Sequence, residues 1–190
     1  ILAAAGAKVT VFDNSDAQLD RDRKLSEQYD LRIETKQGDM KNLSCFEDET
    51  FDLIFHPVSN LFIDDPIPVW KECFRVLKPG GGLLAGFCNP VIFMFPSEKS
   101  DKKDLLRVRY SLPYSDLTEK TEEEIKQLTA KKEPFEFGHT LTQQIGGQLS
   151  AGFVITDMFE DSFCETQLEQ FSDTFIATRA VKPSKLRDGR

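Results

Sequence analysis

The chain is poor in the residues that usually hold metals. Histidine occurs twice in 190 residues, at His56 and His139, and the four cysteines (Cys45, Cys73, Cys88 and Cys164) show no Cys-x-x-Cys spacing. This argues against a structural zinc site and more strongly against a disulfide framework. Isolated cysteines of this kind read as buried thiols in a reducing compartment, the cytoplasm. Long apolar runs are missing too. None approaches the roughly 20 residues of a membrane span, and the longest candidate, 83–95, is broken by Gly86, Asn89 and Pro90. Positive charge is in deficit, with 24 Lys and Arg against 32 Asp and Glu and a formal net charge of −8. That balance argues against a nucleic-acid backbone or an anionic membrane as partner. Tryptophan (one) and tyrosine (three) are few beside sixteen phenylalanines, so the aromatic surface suits apolar packing, some of it lining a pocket. No internal repeat is present.

What is there reads as one domain over 1–182 with a basic tail, 183–190. Hydrophobic residues make up 39% and charged residues 29%, and the length suffices for a substantial core. Residues 1–6 read as the last turns of a helix with Gly6 as a left-handed C-cap. The chain is therefore expected to begin inside an element. Lys8 to Asp13 is a short β-branched strand ending in an acid. A helix to about Tyr29 follows, with a capping-box spacing at Ser15–Gln18 and a thin apolar stripe through Leu25 and Tyr29. Residues 32–37 alternate as a strand, and Phe51-Asp52-Leu53-Ile54-Phe55 is apolar enough to be central in a parallel sheet.

Asp65-Pro66 opens the strongest helix, whose apolar face is Val69, Trp70, Cys73, Phe74 and Leu77. It ends at Lys78-Pro79-Gly80-Gly81-Gly82, before a strand at 83–87. Strand, helix, strand, strand, helix, strand, with right-handed crossovers, is a doubly wound α/β sheet. An insertion at 90–138, with one polar helix over Thr121–Lys132, is expected to be a substrate lid. A second capping box at Thr140–Gln143 starts a helix with Leu141, Ile145 and Leu149 at a spacing of four. Gly146-Gly147 within it is explained by close packing against the sheet. Strands at 153–159 and 174–181 are joined too briefly for a parallel crossover, which favours an antiparallel last strand.

Four stretches carry a family signal in their order. They are the strand ending at Asp13, Gly38-Asp39-Met40, Phe51 to Phe55, and Phe74-Arg75-Val76-Leu77-Lys78-Pro79-Gly80-Gly81. Together they resemble the class I S-adenosylmethionine-dependent methyltransferases of the small-molecule type, over 1–89 and 139–182. The resemblance implies a Rossmann-like, mostly parallel sheet and S-adenosylmethionine as cofactor. By position it implies that Asp13 accepts hydrogen bonds from the ribose hydroxyls, with Asn14 beside it. Asp39 would accept from the adenine amino group while Met40 borders the ring, and His56 and Pro57 would flank the methionine part and the reacting methyl. The residues alone leave open that Asp39 is a turn former and His56 a satisfied loop histidine. The family's first strand and glycine-rich loop have no counterpart here, so an upstream segment of about 30 to 60 residues is expected.

Methyl transfer from a sulfonium needs alignment and exclusion of water, and a general base only when the nucleophile arrives protonated. His56 and His139 are the candidate catalytic residues, because only imidazole ordinarily titrates near neutrality. His139 either faces the pocket or caps the helix that follows it. Phe93, Phe95, Tyr110 and Tyr114 are the candidate substrate contacts from the lid, and no metal is expected. The partner is a small molecule, neither nucleic acid nor membrane. Two rivals remain. A nicotinamide-dependent oxidoreductase would use Asp13 equally well, but the Lys-Pro-Gly-Gly helix end and an antiparallel last strand do not suit it. It would also lack a Tyr-x-x-x-Lys pair. The other rival is a non-catalytic methyltransferase-like binding module.

Overall fold

A computed structural model describes residues 1–96, 106–163 and 166–184, in two compact units, Ile1–Phe46 and Glu47–Arg190. Cys164, residues 97–105 of the insertion and most of the basic tail lie outside the described residues.

In the first unit, residues 1–7 turn helically (Ala5 N donates to Ile1 O at 3.0 Å) and stop at Gly6, whose φ of +93° favours glycine. Strand β1 (Val9–Asp13) pairs in parallel with β2 (Ile33–Gln37), so that Asp13 stands opposite Gln37. Helix α1 (Asp16–Gln28) joins them. The Ser15 side chain makes no capping bond. The Asp13 carboxylate accepts from Ser15 N at 2.7 Å, taking the N–H that the Gln18 side chain would bond in a capping box. Nor is the expected stripe buried: Leu25 and Tyr29 are 47% and 61% exposed, and Leu19, one turn into the helix, is the residue α1 buries. Cys45, expected to be buried, is exposed in the polar connection after β2.

The second unit begins with β3 (Phe51–His56), parallel to β4 (Leu77–Cys88). Helix α2 (Ile67–Val76) connects the two, with Asp65 Oδ1 accepting from Ile67 N at 2.9 Å. The helix buries Val69, Trp70, Cys73 and Val76; of the rest of the expected face, Phe74 is half-buried and Leu77, though buried, is already the first residue of β4. Strand β4 starts six residues before the expected Leu83, so Lys78–Gly82 is already strand. Gly81 has to be glycine there, because a Cβ would lie 2.8 Å from Lys78 O and 3.1 Å from Asp52 O. The buried Lys182 ammonium donates to Leu77 O at 2.7 Å. That places a cation at the negative end of α2.

In the insertion, β5 (Tyr114–Ser115) pairs with β6 (Phe137–Gly138). Between them lie α3 (Asp116–Glu119) and α4 (Glu122–Lys131), the latter with its capping box formed between Thr121 and Glu124. The Thr140–Gln143 box also forms. The chain then makes a π-helical turn over Thr142–Gly146 before α5 (Gly147–Ala151). The wider turn rotates the inward face. Gln144, Gly147 and Gln148 are buried, whereas Leu141 and Leu149 are 46% and 53% exposed. Gly147 packs on α2 rather than on the sheet, since a Cβ there would lie 2.5 Å from Trp70 Cδ1 and 2.9 Å from Ile67 Cδ1.

Strand β8 (Phe175–Val181) runs antiparallel to both β4 and β7 (Val154–Asp161), in the order β3-β4-β8-β7. Strands β3, β4 and β7 therefore share one direction, the mostly parallel arrangement with an antiparallel last strand that the sequence implies. Strand β3, apolar enough to be central, stands at the edge of this sheet with Leu53 and Phe55 44% and 62% exposed. Among the described residues no helix is long and apolar enough to cross a membrane.

Candidate functional site

In the first unit the candidate cofactor residues gather at the carboxyl ends of β1 and β2. Gly38 N donates to Asp13 O at 3.0 Å, and Gln37 Nε2 donates to Asn14 O at 3.0 Å, which ties the two strand ends together. Gly38 lies flush on the Phe12 ring: a Cβ would come within 2.8 Å of Phe12 Cε2. Phe12 in turn meets Phe46 edge-on at 5.6 Å. Asp39 follows in an Asx turn, its Oδ1 accepting from Lys41 N at 2.9 Å. Asp39 is therefore a turn former, as one reading of the sequence held. That does not exhaust it. Each of Asp13 and Asp39 commits one carboxylate oxygen to the backbone, and among the described residues the other oxygen has no partner. Two acceptors thus remain at one end of a parallel strand pair, with Asn14 exposed and Met40 half-buried beside them.

In the second unit His56 is the last residue of β3 and is 9% exposed. Its ring meets the buried Trp70 edge-on at 5.5 Å. Nε2 lies 2.7 Å from Asn60 Oδ1, and Asn60 Nδ2 donates to Gln144 Oε1 at 2.9 Å. Deeper in, Gln148 Nε2 donates to Gln144 O at 3.3 Å, and Thr178 Oγ1 donates to Gln148 Oε1 at 3.0 Å. His139 converges on the same asparagine, its Nε2 lying 3.0 Å from Asn60 O. It therefore ties down the turn at Asn60–Phe62 instead of capping the helix that follows it. Both imidazoles are held below the ordinary histidine value by burial. For His56 the Asn60 hydrogen bond opposes this, and for His139 the carbonyls of Asn60 and Ile63 do. Asn60, Gln144, Gln148 and Thr178 were not foreseen. They are neutral residues far apart in sequence, and only the meeting of the β3 loop, α5 and β8 makes them a network.

The candidate substrate residues divide. Phe93 and Tyr114 are buried together with Cys88, their rings stacked at 5.6 Å. The Tyr114 hydroxyl donates to the buried Asp116 carboxylate at 2.7 Å. Burial first, and Asp116 second, hold this phenol far above its usual range. It is a donor there, not a base. Tyr110 packs edge-on against Tyr114 at 5.1 Å, and Tyr110 and Phe95 remain half-buried. Burial pushes the Cys73 and Cys88 thiols up to about 12, which leaves them inert near neutrality. No group of three His, Cys, Asp or Glu side chains able to hold a metal occurs among the described residues.

Comparison with known proteins bears on this arrangement. The family described as "Methyltransferase domain" matches residues 1–85. Over 182 residues the chain is 47% identical to the "Uncharacterized methyltransferase YbaJ" of Bacillus subtilis (strain 168), covering 96% of this chain and 71% of that protein. The solved S-adenosylmethionine-dependent methyltransferase from Mesorhizobium loti is similar in fold, with a TM-score of 0.70 at 19% identity, covering 94% of this chain and 82% of its own. The [4+2]-cyclase SpnF is similar with a TM-score of 0.62 at 16% identity, covering 97% of this chain and 69% of its own.

Proposed function

The chain belongs to the methyltransferase family and has its class I fold, and from that premise we propose that it moves a methyl group from S-adenosylmethionine to a small-molecule acceptor. The observation that carries the cofactor assignment is the pair of unengaged carboxylate oxygens on Asp13 and Asp39 at one end of the β1–β2 pair. These are acceptor groups, which is what ribose hydroxyls and an adenine amino group require. When bound, S-adenosylmethionine supplies a methyl carbon activated by its sulfonium. In the first unit Asp13 would hold the ribose with Asn14 beside it, and Asp39 the adenine amino group with Met40 along the ring; in the second unit His56 and Pro57 are the candidates that the family resemblance names for the methionine end. The protein's work is alignment and exclusion of water.

For the acceptor, Tyr110 and Phe95 are the aromatic candidates left half-buried, since Phe93 and Tyr114 pack with Cys88 of β4 in a buried cluster. A small-molecule acceptor, and neither nucleic acid nor membrane, suits the net charge of −8. Free thiols at Cys45, Cys73 and Cys88 favour a reducing compartment, the cytoplasm. A second reading is a methyltransferase-like fold that binds without methylating; SpnF, a [4+2]-cyclase of similar fold, is an instance of this architecture serving something other than methyl transfer.

Calorimetry on the full-length protein tests the first reading, with micromolar binding of S-adenosylmethionine expected. Millimolar or absent binding would sink it. Asp13→Ala removes charge-assisted hydrogen bonds worth about 1.5–3 kcal/mol, so affinity should fall about 10- to 100-fold. An unchanged affinity would remove Asp13 from the ribose.

A further inference from the structure

His56, at the end of β3, meets its polar neighbours through a single ring nitrogen. Its two polar neighbours, Asn60 Oδ1 at 2.7 Å and Ser59 Oγ at 3.4 Å, both lie against Nε2, and among the described residues Nδ1 has no partner. Every fully buried side-chain polar atom among those residues has one, so an unpartnered Nδ1 has to reach the protein surface.

Two independent contacts assign the proton. The Asn60 amide spends its Nδ2–H on Gln144 Oε1 at 2.9 Å, which presents Oδ1, an acceptor, to the ring. The Ser59 hydroxyl donates to Pro57 O at 3.0 Å, so its Oγ also turns lone pairs toward Nε2. Turning the Asn60 and Gln144 amides over together would suit a bare Nε2 on the asparagine side. It would also set the Nε2 lone pair against that of Ser59 Oγ. A proton on Nε2 satisfies both neighbours.

We propose that Asn60, locked by Gln144, is a positioning residue that holds His56 as its Nε2–H tautomer and leaves Nδ1 as the base for an acceptor whose oxygen, nitrogen or sulfur carries a proton. The inference rests on the methyltransferase reading and narrows its substrate class, because an acceptor that is already a bare nucleophile needs no base. The acceptor's proton passes to Nδ1 as the acceptor atom takes the methyl. The imidazolium so formed keeps its Nε2–H on Asn60 Oδ1, the role an orienting acceptor plays behind a catalytic imidazole. Burial favours the neutral ring, which a base requires at rest. His139 supports the arrangement from behind, its Nε2 lying 3.0 Å from the carbonyl of Asn60 itself.

The test is ¹⁵N NMR of the imidazole rings in the full-length protein, with His139→Gln used to assign the two ring systems seen in this sequence. His56 should show a protonated Nε2 and a bare Nδ1. Asn60→Asp, which keeps an acceptor at the same place, should retain that pattern, and Asn60→Ala should shift the ring to a mixture containing the Nδ1–H form. A wild-type ring protonated at Nδ1 would overturn the proposal even if Asn60→Ala fails to fold. An Asn60→Ala ring identical to wild type would overturn it as well. Neither measurement needs an acceptor or bound S-adenosylmethionine. A failure here is therefore distinct from a failure of cofactor binding, which would sink the methyltransferase reading itself.

Discussion

The two units solve opposite solvation problems. In Ile1–Phe46 the candidate groups are carboxylates, Asp13 half-buried and Asp39 exposed, each fixed by a bond from a backbone N–H two residues ahead (Ser15 and Lys41) and each, among the described residues, with an oxygen to spare. In Glu47–Arg190 the candidate groups are imidazoles taken out of water and held by Asn60, 4 positions from His56 and 79 from His139. The first arrangement is local and needs little core, and α1 buries a single leucine. The second needs a packed interior, because a buried polar group without partners costs about 1–3 kcal/mol. The charged groups are kept near solvent, whereas the rings, held neutral by burial, are kept from it.

Substitutions can break that contrast, beginning with the largest effect. Trp70 is fully buried, touches His56 and donates its Nε1–H to Gln143 O at 3.1 Å. Trp70→Ala should destabilise the protein by about 3–5 kcal/mol in urea unfolding. A loss below about 1 kcal/mol would mean that this tryptophan does not support the His56 side of the site. Gly147→Ala drives a methyl onto the same indole and should cost about 1–3 kcal/mol; measured stabilisation would show that the α2–α5 contact can yield.

The buried imidazoles add a pH dependence whose sign follows from their lowered folded-state values. Between those values and the ordinary 6.5, the unfolded chain binds more protons than the folded one, so stability falls as pH drops through that window. Unfolding midpoints followed from neutral to mildly acidic pH should show the decline, and His56→Gln should flatten part of it. An equal slope in that variant would clear His56 of any share. The smallest stability effect belongs to the first unit. Asp39→Ala should change stability by no more than about 0.5 kcal/mol yet weaken S-adenosylmethionine in calorimetry. A larger stability loss would mean that the Asx turn, not the ligand, is what Asp39 serves.

The difference in locality also governs what could be read in advance. Asp13 and Asp39 were legible because a strand-end acid and a Gly-Asp turn are written in consecutive residues. The Thr121–Glu124 and Thr140–Gln143 boxes were legible for the same reason. The Ser15 box failed because Asp13 reached the same backbone N–H first. Leu149 was misplaced because the sequence does not announce a π-helical turn, and one wider turn swings every later side chain to another face; Leu141, which precedes that turn, is exposed as its N-cap. His56 was visible as a residue but not as a site, since its partners Asn60 and Gln144 carry no motif.

The sequence by itself determined the order of strands and helices, the antiparallel last strand, the family and the two acids at the ends of β1 and β2. All of these depend on periodicity, turn chemistry or motifs within a few residues of one another. Tertiary structure alone decided that Tyr114 is spent on Asp116, that Gly147 exists for Trp70, and that His56 is bound on one ring nitrogen and open on the other. Those outcomes depend on which distant surfaces are brought together, and burial assigns a polar group its role only once its neighbours are in place.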